Sequence, residues 1–104
     1  LGVHAGDHAV YPDCRPEFVQ ALRDCARLAL AGFHTPEIQT PFVYLTKTEI
    51  AAEAWRLDAP VQLSWSCYKG GEKHCGTCGT CVERKEAFAL SGLVDPTEYA
   101  VKEG

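Results

Sequence analysis

The sequence predicts the last third of an α/β domain that carries a metal-binding loop. Two stretches with apolar residues at helical spacing flank a β-branched, aromatic stretch, which gives helix, strand and helix along the chain. Four cysteines then fall inside residues 66–81, and another helical stretch follows them. A single strand cannot form a sheet that covers its own faces, so this order fits part of a larger domain better than a free-standing one.

The first predicted elements are a loop and a long helix. Residues 1–9 contain Gly2 and Gly6 and predict a strand end that runs into a loop. Pro12 marks a turn, and Pro16 occupies a position that the first turn of a helix tolerates. We predict a helix over about residues 15–31, with Gly32 as its stop. One apolar face supports this helix: Phe18, Leu22, Cys25 and Ala29.

The middle of the chain predicts a strand and a second helix. The strand covers residues 38–45, IQTPFVYL, and is interrupted at Pro41. Thr46 and Glu49 match a capping box, so a helix is expected over about residues 47–57. Residues 59–66 are read as extended or loop. After Cys81 the sequence VERKEAFAL favours a helix that ends near Gly92, and the tail 95–104 is expected to be loosely held.

Composition excludes several classes of protein. The chain has 104 residues, 46% apolar and 23% charged, which suits one globular domain and argues against disorder. The formal charge of −4 gives no reason to expect a nucleic-acid partner. No apolar run approaches the ~20 residues of a membrane span, and no signal-peptide pattern is present at Leu1, so we expect a cytoplasmic protein. Because the chain contains no Met, we interpret it as a piece of something longer.

The cysteine spacing predicts a structural zinc site. Cys67, Cys75, Cys78 and Cys81 form the pattern C-x7-C-x2-C-x2-C. Four thiolates complete a tetrahedral shell and leave no open position for water or substrate, which is typical of one structural zinc per chain. Glycines between the cysteines allow sharp turns and leave N–H groups free to bind thiolates. An iron–sulfur cluster, redox-active or free thiols, and replacement of one thiolate by His74 remain alternatives.

Two motifs together resemble a known enzyme family. The stretches GVHAGDHAVYPDCRPEF (2–18) and LSWSCYKGGEKHCGTCGTCVERKEAF (63–88) resemble the C-terminal part of the QueC family, the 7-cyano-7-deazaguanine synthases of the queuosine pathway. TPFVYLTKTEI (40–50) resembles the strand and helix that link them in that family. The resemblance implies a Rossmann-like parallel sheet of the PP-loop, N-type ATP pyrophosphatase (HUP) kind, and zinc on the four cysteines.

The resemblance also implies a reaction. The family uses ATP, with Mg²⁺, to activate the carboxylate of 7-carboxy-7-deazaguanine as an adenylate. Ammonia then gives an amide, a second ATP-driven step gives the nitrile, and AMP and pyrophosphate are released. The family's S-G-G-x-D-S phosphate loop is missing from this sequence, and KGGEK (69–73) is read as a turn. We therefore expect residues 1–104 to be the C-terminal part of one synthase domain, inactive without the ATP-binding part; a homodimer is a further hypothesis.

The loop at residues 4–8 is the first candidate for contact with substrate. Loops beyond the carboxyl ends of strands bind ligands in open α/β sheets, so His4, Asp7 and His8 are predicted to face the active site. The alternative is a polar connection between elements, with His4 as a structural histidine.

The motif YPDCRP (11–16) is the second candidate. Arg15 is predicted to pair a carboxylate or phosphate, and Asp13 either to accept from a heterocycle N–H or to cap the following helix. Tyr11 and Cys14 join the predicted substrate contacts. Cys14 is alternatively a nucleophile whose pKa falls at a helix N-terminus. Cys25 is predicted to lie in the core. Three aromatic residues either stack on a flat ring or pack: Phe42, Tyr44 and Trp65.

Two other functions remain open. A QueC-like enzyme that amidates a protein or peptide with the deazaguanine would retain the same motifs. A non-enzymatic zinc module that docks a partner would fold alone and bind without ATP.

Overall fold

Three α-helices make up most of the regular structure. The computed structural model describes residues 1–100, and there the helices are α1 (Pro16–Ala29), α2 (Lys47–Arg56) and α3 (Gly79–Ser91). Contacts divide the chain into two compact units, Leu1–Thr46 and Lys47–Gly104. No helix within residues 1–100 is long and apolar enough to cross a membrane.

The predicted helices are confirmed, with small shifts of their ends. α1 begins at Pro16, and Gly32 follows its end with φ +87°. α2 ends one residue before its predicted limit. α3 starts at Gly79, earlier than predicted, because Cys78 is its N-cap and Cys81 already lies in its first turn. Gly92 ends α3 in the left-handed conformation, φ 72°, which costs glycine little.

The predicted strand at 38–45 is wrong. Residues 41–44 form a turn, in which Val43 N–H donates to Thr40 O at 3.3 Å and Leu45 N–H to Phe42 O at 2.9 Å. These local hydrogen bonds use backbone N–H groups that a strand would donate to its neighbour in a sheet, and Pro41 has no N–H group. The predicted strand end near Leu1 is also wrong, since Ala5–Asp7 is a 3₁₀ turn. Within residues 1–100 no sheet is present.

α1 buries only part of the predicted face: Phe18 and Leu22 are half-buried, whereas Cys25 and Ala29 are exposed. Val19 is almost fully buried, and the guanidinium of Arg23 donates to Ile38 O (3.1 and 2.9 Å) and to Thr40 Oγ1 (3.3 Å). Cys25 follows Arg23 by two residues and therefore lies about 200° further around the helix. Cys25 is therefore exposed, and the prediction that it lies in the core is wrong.

In the second unit, α2 packs against α3. Ala51, Ala87 and Phe88 are buried at this contact, with Val61 and Leu93 packed beside them. Residues 59–66 contain only a short 3₁₀ turn, Val61–Leu63, as the loop prediction required. This small core anchors α3, and α3 carries the end of the cysteine loop.

The expectation of a loose tail is wrong for residues 95–100. Ala100 N–H donates to His74 O at 2.8 Å, and His74 and Tyr99 form a parallel β-bridge, the only strand-like pairing in the described part of the chain. Residues 101–104, which belong to the same prediction, lie outside the described residues. The capping box at Thr46 and Glu49 stays a prediction.

Candidate functional site

The cysteine loop, residues 66–81, brings four sulfurs together. Gly76 has φ +80°, so the chain turns sharply between Cys75 and Cys78, as predicted. Gly79 instead lies in the first turn of α3. The helix then returns Cys81 towards Cys75. Cys67 reaches the group through an arm that turns at Gly70, φ +68°.

The sulfur positions fit a tetrahedral metal site. The Sγ atoms of Cys67, Cys75, Cys78 and Cys81 all lie within 4.8 Å of one another, and Cys75–Cys81 and Cys67–Cys78 are each 3.9 Å apart. With Zn–S bonds of about 2.3 Å, tetrahedral geometry requires sulfurs about 3.8 Å apart. No disulfide joins any of the six cysteines. The grouping predicted from the spacing is therefore present and can hold an ion such as zinc.

Hydrogen-bond donors around the sulfurs favour the thiolate form. Cys75 Sγ accepts from Thr77 N–H at 3.4 Å and Cys78 N–H at 3.2 Å, and the Thr77 N–H and hydroxyl lower the pKa of Cys75 to about 7. Cys78 Sγ lies 3.2 Å from Thr80 Oγ1, and this contact, followed by the backbone N–H groups of Cys81 and Tyr68, lowers the pKa of Cys78 to about 5. These are the donors that a thiolate ligand needs.

Cys81 differs because it is fully buried. Its side chain is 0% exposed, and burial raises the pKa of its thiol to about 12. A buried thiolate needs a positive partner, and a coordinated cation supplies one, since metal binding deprotonates a thiol outright. Hydrogen bonds thus stabilise the thiolates of Cys75 and Cys78, whereas the buried sulfur of Cys81 gains most from a bound metal.

His74 is a packing residue of the loop, so its proposed role as a replacement ligand is wrong. Its Nε2 accepts from Ser66 N–H at 3.3 Å, and its ring lies 4.3 Å from that of Trp65. Burial, followed by the charge of Arg84, lowers the pKa of His74. Trp65 also donates from Nε1 to Cys67 O at 2.9 Å, so it packs at the rim of the loop.

Arg84 is buried one helical turn after Cys81. It is 7% exposed, and its guanidinium donates to four neutral acceptors. These are Thr97 Oγ1 (2.7 Å), Ser66 Oγ (3.1 Å), Val61 O (3.0 Å) and Ser64 Oγ (3.0 Å). The side chain therefore joins three separate segments of the second unit.

In the first unit, His4 and Asp7 satisfy each other. His4 Nε2 lies 3.0 Å from Asp7 Oδ2, and His4 Nδ1 accepts from Gly6 N–H at 3.2 Å. With both ring nitrogens engaged, this geometry supports the structural interpretation of His4 that the sequence left open.

His8 and Arg15 bring the two predicted motifs together. Arg15 Nε donates to His8 O at 2.7 Å, which ties the loop at 4–8 to the start of α1. The Nε2 atom of His8 is buried and has no hydrogen-bond partner within residues 1–100. An unmade bond at a buried polar atom costs about 1–3 kcal/mol, so this atom is the clearest candidate for an outside partner.

One interpretation of the YPDCRP motif is wrong, and a second loses support. Arg15, not Asp13, is the N-cap of α1, and no side chain caps that helix. The pKa of Cys14 is raised, by burial and then by the charges of Asp13 and Asp7, which disfavours an activated thiol. Its Sγ lies 4.0 Å from Asp13 Oδ1.

The remaining aromatic candidates differ in their exposure. Tyr11 is exposed, and its N–H donates to Asp7 O at 2.8 Å. Tyr44 is exposed in the turn at 41–44, whereas Phe42 is half-buried there.

Sequence reasoning missed the residues around the sulfurs. Thr77 and Thr80 follow their cysteines at the same distance, because CGTCGTC repeats a Gly-Thr pair. That repeat was the available signal for hydroxyl donors. Arg84 and Tyr99 gave no local signal, since their contacts join segments far apart in sequence.

Comparison with known proteins identifies relatives of the chain. A family model described as "Queuosine biosynthesis protein QueC" matches residues 1–92. A protein of Paracoccus denitrificans named 7-cyano-7-deazaguanine synthase is 56% identical over 97 residues, which cover 93% of this chain and 42% of that relative. A Brucella ovis protein of the same name is 50% identical over 99 residues, covering 95% of the chain and 43% of the relative. No solved structure matches the chain significantly.

The relatives are much longer than this chain. It spans less than half of the length of the Paracoccus and Brucella proteins, although the match covers nearly all of its own residues. The family match includes all four clustered cysteines and both N-terminal motifs, and ends before the tail that contacts the cysteine loop.

Proposed function

The chain belongs to the QueC family of queuosine biosynthesis proteins, and on that premise we propose that it is the C-terminal part of a 7-cyano-7-deazaguanine synthase. The observation that carries this proposal is the 56% identity to a protein of that name over almost the whole chain. The complete enzyme converts 7-carboxy-7-deazaguanine and ammonia to the nitrile, with ATP and Mg²⁺ as co-substrates and with AMP and pyrophosphate released.

We assign the Rossmann-like PP-loop sheet to the part of the full-length protein that lies outside this chain. Each unit exposes large apolar side chains on a helix: Leu28 on α1 is 66% exposed and Trp55 on α2 is 71% exposed. Beside α2 an open apolar groove of about 270 Å³ is lined by Ala54, Val61 and Leu93, among others. Helices that cover a parallel sheet present apolar faces of this kind to the sheet.

The four cysteines are assigned to one structural zinc. Their sulfur spacing and the N–H and hydroxyl donors support the assignment, and four thiolates leave no position for substrate. Zinc would hold the loop to the start of α3 and supply no chemistry to the reaction.

The zinc assignment is tested by metal analysis of matched cysteine variants. Cys78→Ser removes a predicted ligand, whereas Cys25→Ser changes an exposed cysteine outside the cluster. We expect about one zinc per chain in the parent and in Cys25→Ser, and a loss of at least about 10-fold in zinc affinity in Cys78→Ser. Full zinc content with serine at all four positions would contradict the assignment.

Contacts to the substrate are assigned to His8 and Arg15. Arg15 is placed by its Nε bond to His8 O, so its terminal nitrogens are proposed to pair a carboxylate or phosphate. The buried Nε2 of His8 is proposed to bind a polar group of the heterocycle. Asp7, Tyr11, Asp13 and Cys14 surround the same turns and shape this site, and His4 positions Asp7.

These roles are tested in the full-length protein. Arg15→Ala and His8→Phe are expected to lower nitrile formation at least about 100-fold and about 10-fold, respectively, with zinc content unchanged. Arg27→Ala, an exposed change on α1, is the control. Unchanged turnover removes the altered residue from the site.

The activity itself is tested with the full-length protein, 7-carboxy-7-deazaguanine, ammonia and ATP. Formation of the nitrile with release of AMP supports the proposal. An amide formed on a protein acceptor would indicate the protein-modifying relative instead. Absence of an S-G-G-x-D-S loop in the coding sequence upstream of Leu1, or ligand binding that does not need ATP, would favour a zinc-dependent docking module. A cytoplasmic location and a homodimer are part of the same proposal.

A further inference from the structure

The tail that follows α3 returns to the cysteine loop. Ala100 N–H donates to His74 O at 2.8 Å, and Tyr99 pairs with His74 in a parallel bridge. His74 is the residue before Cys75, so this pairing fixes the backbone where the loop enters the sharp turn between two sulfurs. We call residues 95–100 the C-terminal clasp.

Tyr99 lies directly against that turn. A side-chain carbon placed on Gly76 would sit 3.5 Å from Tyr99 Cβ and 3.6 Å from its Cδ1. Lys85 Nζ lies 4.6 Å from the centre of the Tyr99 ring and donates to Gly76 O at 3.0 Å. Ring and ammonium therefore enclose the turn that separates Cys75 from Cys78.

The clasp is internally stiff and tied to the rest of the unit. Asp95 accepts from Thr97 N–H at 2.9 Å and from the Tyr99 hydroxyl at 2.5 Å. Thr97 Oγ1 accepts from Arg84 Nε at 2.7 Å, and Arg84 also donates to Ser66 Oγ at 3.1 Å. Ser66 directly precedes Cys67. One buried guanidinium thus links the clasp to the other arm of the cysteine loop.

From this geometry we propose that the C-terminal clasp keeps the metal site closed, with Tyr99 as its main positioning residue. Release of a metal requires the turn at Gly76 or the arm at Cys67 to open; the clasp contacts the turn directly and is linked to the arm through Arg84. The proposal rests on the zinc assignment above. It adds that residues which do not bind the metal themselves determine how long the metal stays bound.

The test measures zinc release from the zinc-loaded, full-length protein to the chromogenic chelator 4-(2-pyridylazo)resorcinol. Tyr99→Ala is expected to release zinc at least about 10-fold faster than the parent, the size of effect seen when residues behind metal ligands are lost. Tyr99→Phe keeps the ring over Gly76 and is expected to stay within about threefold of the parent. Tyr44→Ala, altered at a tyrosine that is 76% exposed and lies outside the cysteine loop, is the control and is expected to match the parent.

Two further measurements separate this role from a general loss of structure. The Co²⁺-loaded variants should keep the thiolate charge-transfer band of four sulfur ligands, which shows that the site is still assembled. A chain that ends at Val94 should release zinc as fast as Tyr99→Ala, and it replaces that variant if the variant does not fold. Release at the parent rate from either of them overturns the clasp. A parent that binds neither zinc nor Co²⁺ overturns the zinc assignment instead.

Discussion

Arg84 shows how one residue can organise a small unit. A buried guanidinium normally has an acidic partner, but the acceptors of Arg84 are two serines, a threonine and a backbone carbonyl. If zinc is bound, the four-thiolate site carries about −2, and Arg84 follows the last of its cysteines by three residues on α3. Arg84 joins the segments that flank this site.

We expect Arg84→Ala to destabilise the zinc-loaded protein by about 3 kcal/mol, because it leaves buried oxygens without donors. Arg84→Lys should recover little of this, since an ammonium cannot reproduce the planar fork. Urea denaturation measures both. Arg27→Ala, with a side chain 64% exposed, should stay within about 0.5 kcal/mol of the parent. A loss below 1 kcal/mol in Arg84→Ala would contradict this role.

Tyr99 predicts a pH dependence at the alkaline end. Burial, and then the hydrogen bond and charge of Asp95, raise the pKa of its phenol above the usual value. Above pH ~10 an unfolded chain loses this proton while the folded chain retains it. The stabilising contribution is therefore complete below pH ~10 and is lost as the pH rises towards the folded pKa.

The measurement is urea denaturation between pH 9 and pH 11.5. The parent should lose stability with rising pH more steeply than Tyr99→Phe. Tyr68→Phe, altered at an exposed tyrosine, should follow the parent. Equal slopes in the parent and Tyr99→Phe would contradict the assignment of the effect to Tyr99.

At the scale of elements, α3 depends on different chemistry at its two ends. Its first turn contains Cys81 and follows the N-cap Cys78, so the cysteine loop fixes its start. Its end depends on Gly92, whose positive φ only glycine adopts without strain. The cysteine loop and a glycine thus define the two ends of the helix that carries Arg84.

Two glycine substitutions test the two ends of α3 separately. Gly92→Ala should destabilise by about 1 kcal/mol, because alanine is strained at φ 72°. Gly79→Ala lies in the first turn with open space around the new carbon, and should be neutral or stabilise by up to about 1 kcal/mol. Urea denaturation compares them. The same effect for both would show that backbone conformation does not decide the outcome.

The helices could be predicted from the sequence because their determinants are local. Pro16, Gly32 and Gly92 mark ends that the structure reproduces within a few residues. The strand at 38–45 could not be judged locally, because β-branched residues form a strand only where neighbours accept their hydrogen bonds. The apolar face of α1 could be predicted only in part for a similar reason: Arg23 bonds the carbonyl of Ile38, a contact that no spacing rule anticipates.

The candidate site could likewise be predicted only in part from local sequence patterns. The cysteine spacing predicts the sulfur cluster, because ligands three residues apart need only a tight turn. The clasp joins His74 to Tyr99 across 25 positions, and Arg84 reaches Ser66, so neither leaves a local pattern. Burial, then the charges of Asp13 and Asp7, raise the pKa of Cys14, and Asp7 is brought close by two turns rather than by sequence.

At the scale of the whole molecule, all four proposed zinc ligands belong to one unit. They lie within Lys47–Gly104, and Leu1–Thr46 contributes none of them. The metal is therefore expected to stabilise the second unit directly, since binding to the folded state alone adds to its free energy of unfolding.

We expect zinc removal by a chelator to act regionally. Hydrogen exchange of the full-length protein should show loss of protection in the cysteine loop and in the first turns of α3. α1 should keep its protection, because its unit holds no ligand. Mass spectrometry of proteolytic peptides resolves these segments. Uniform loss of protection along the chain would contradict a regional effect.

The position of Cys78 and Cys81 at the start of α3 also bears on how this unit folds. The slow step in forming a helix is its first turn, where several backbone angles are fixed before hydrogen bonds compensate. A metal held by the N-cap and a residue of the first turn would fix those angles at once. Zinc capture would then act as the nucleation event of α3, and the order in which metal and helix form would set the folding rate of the unit.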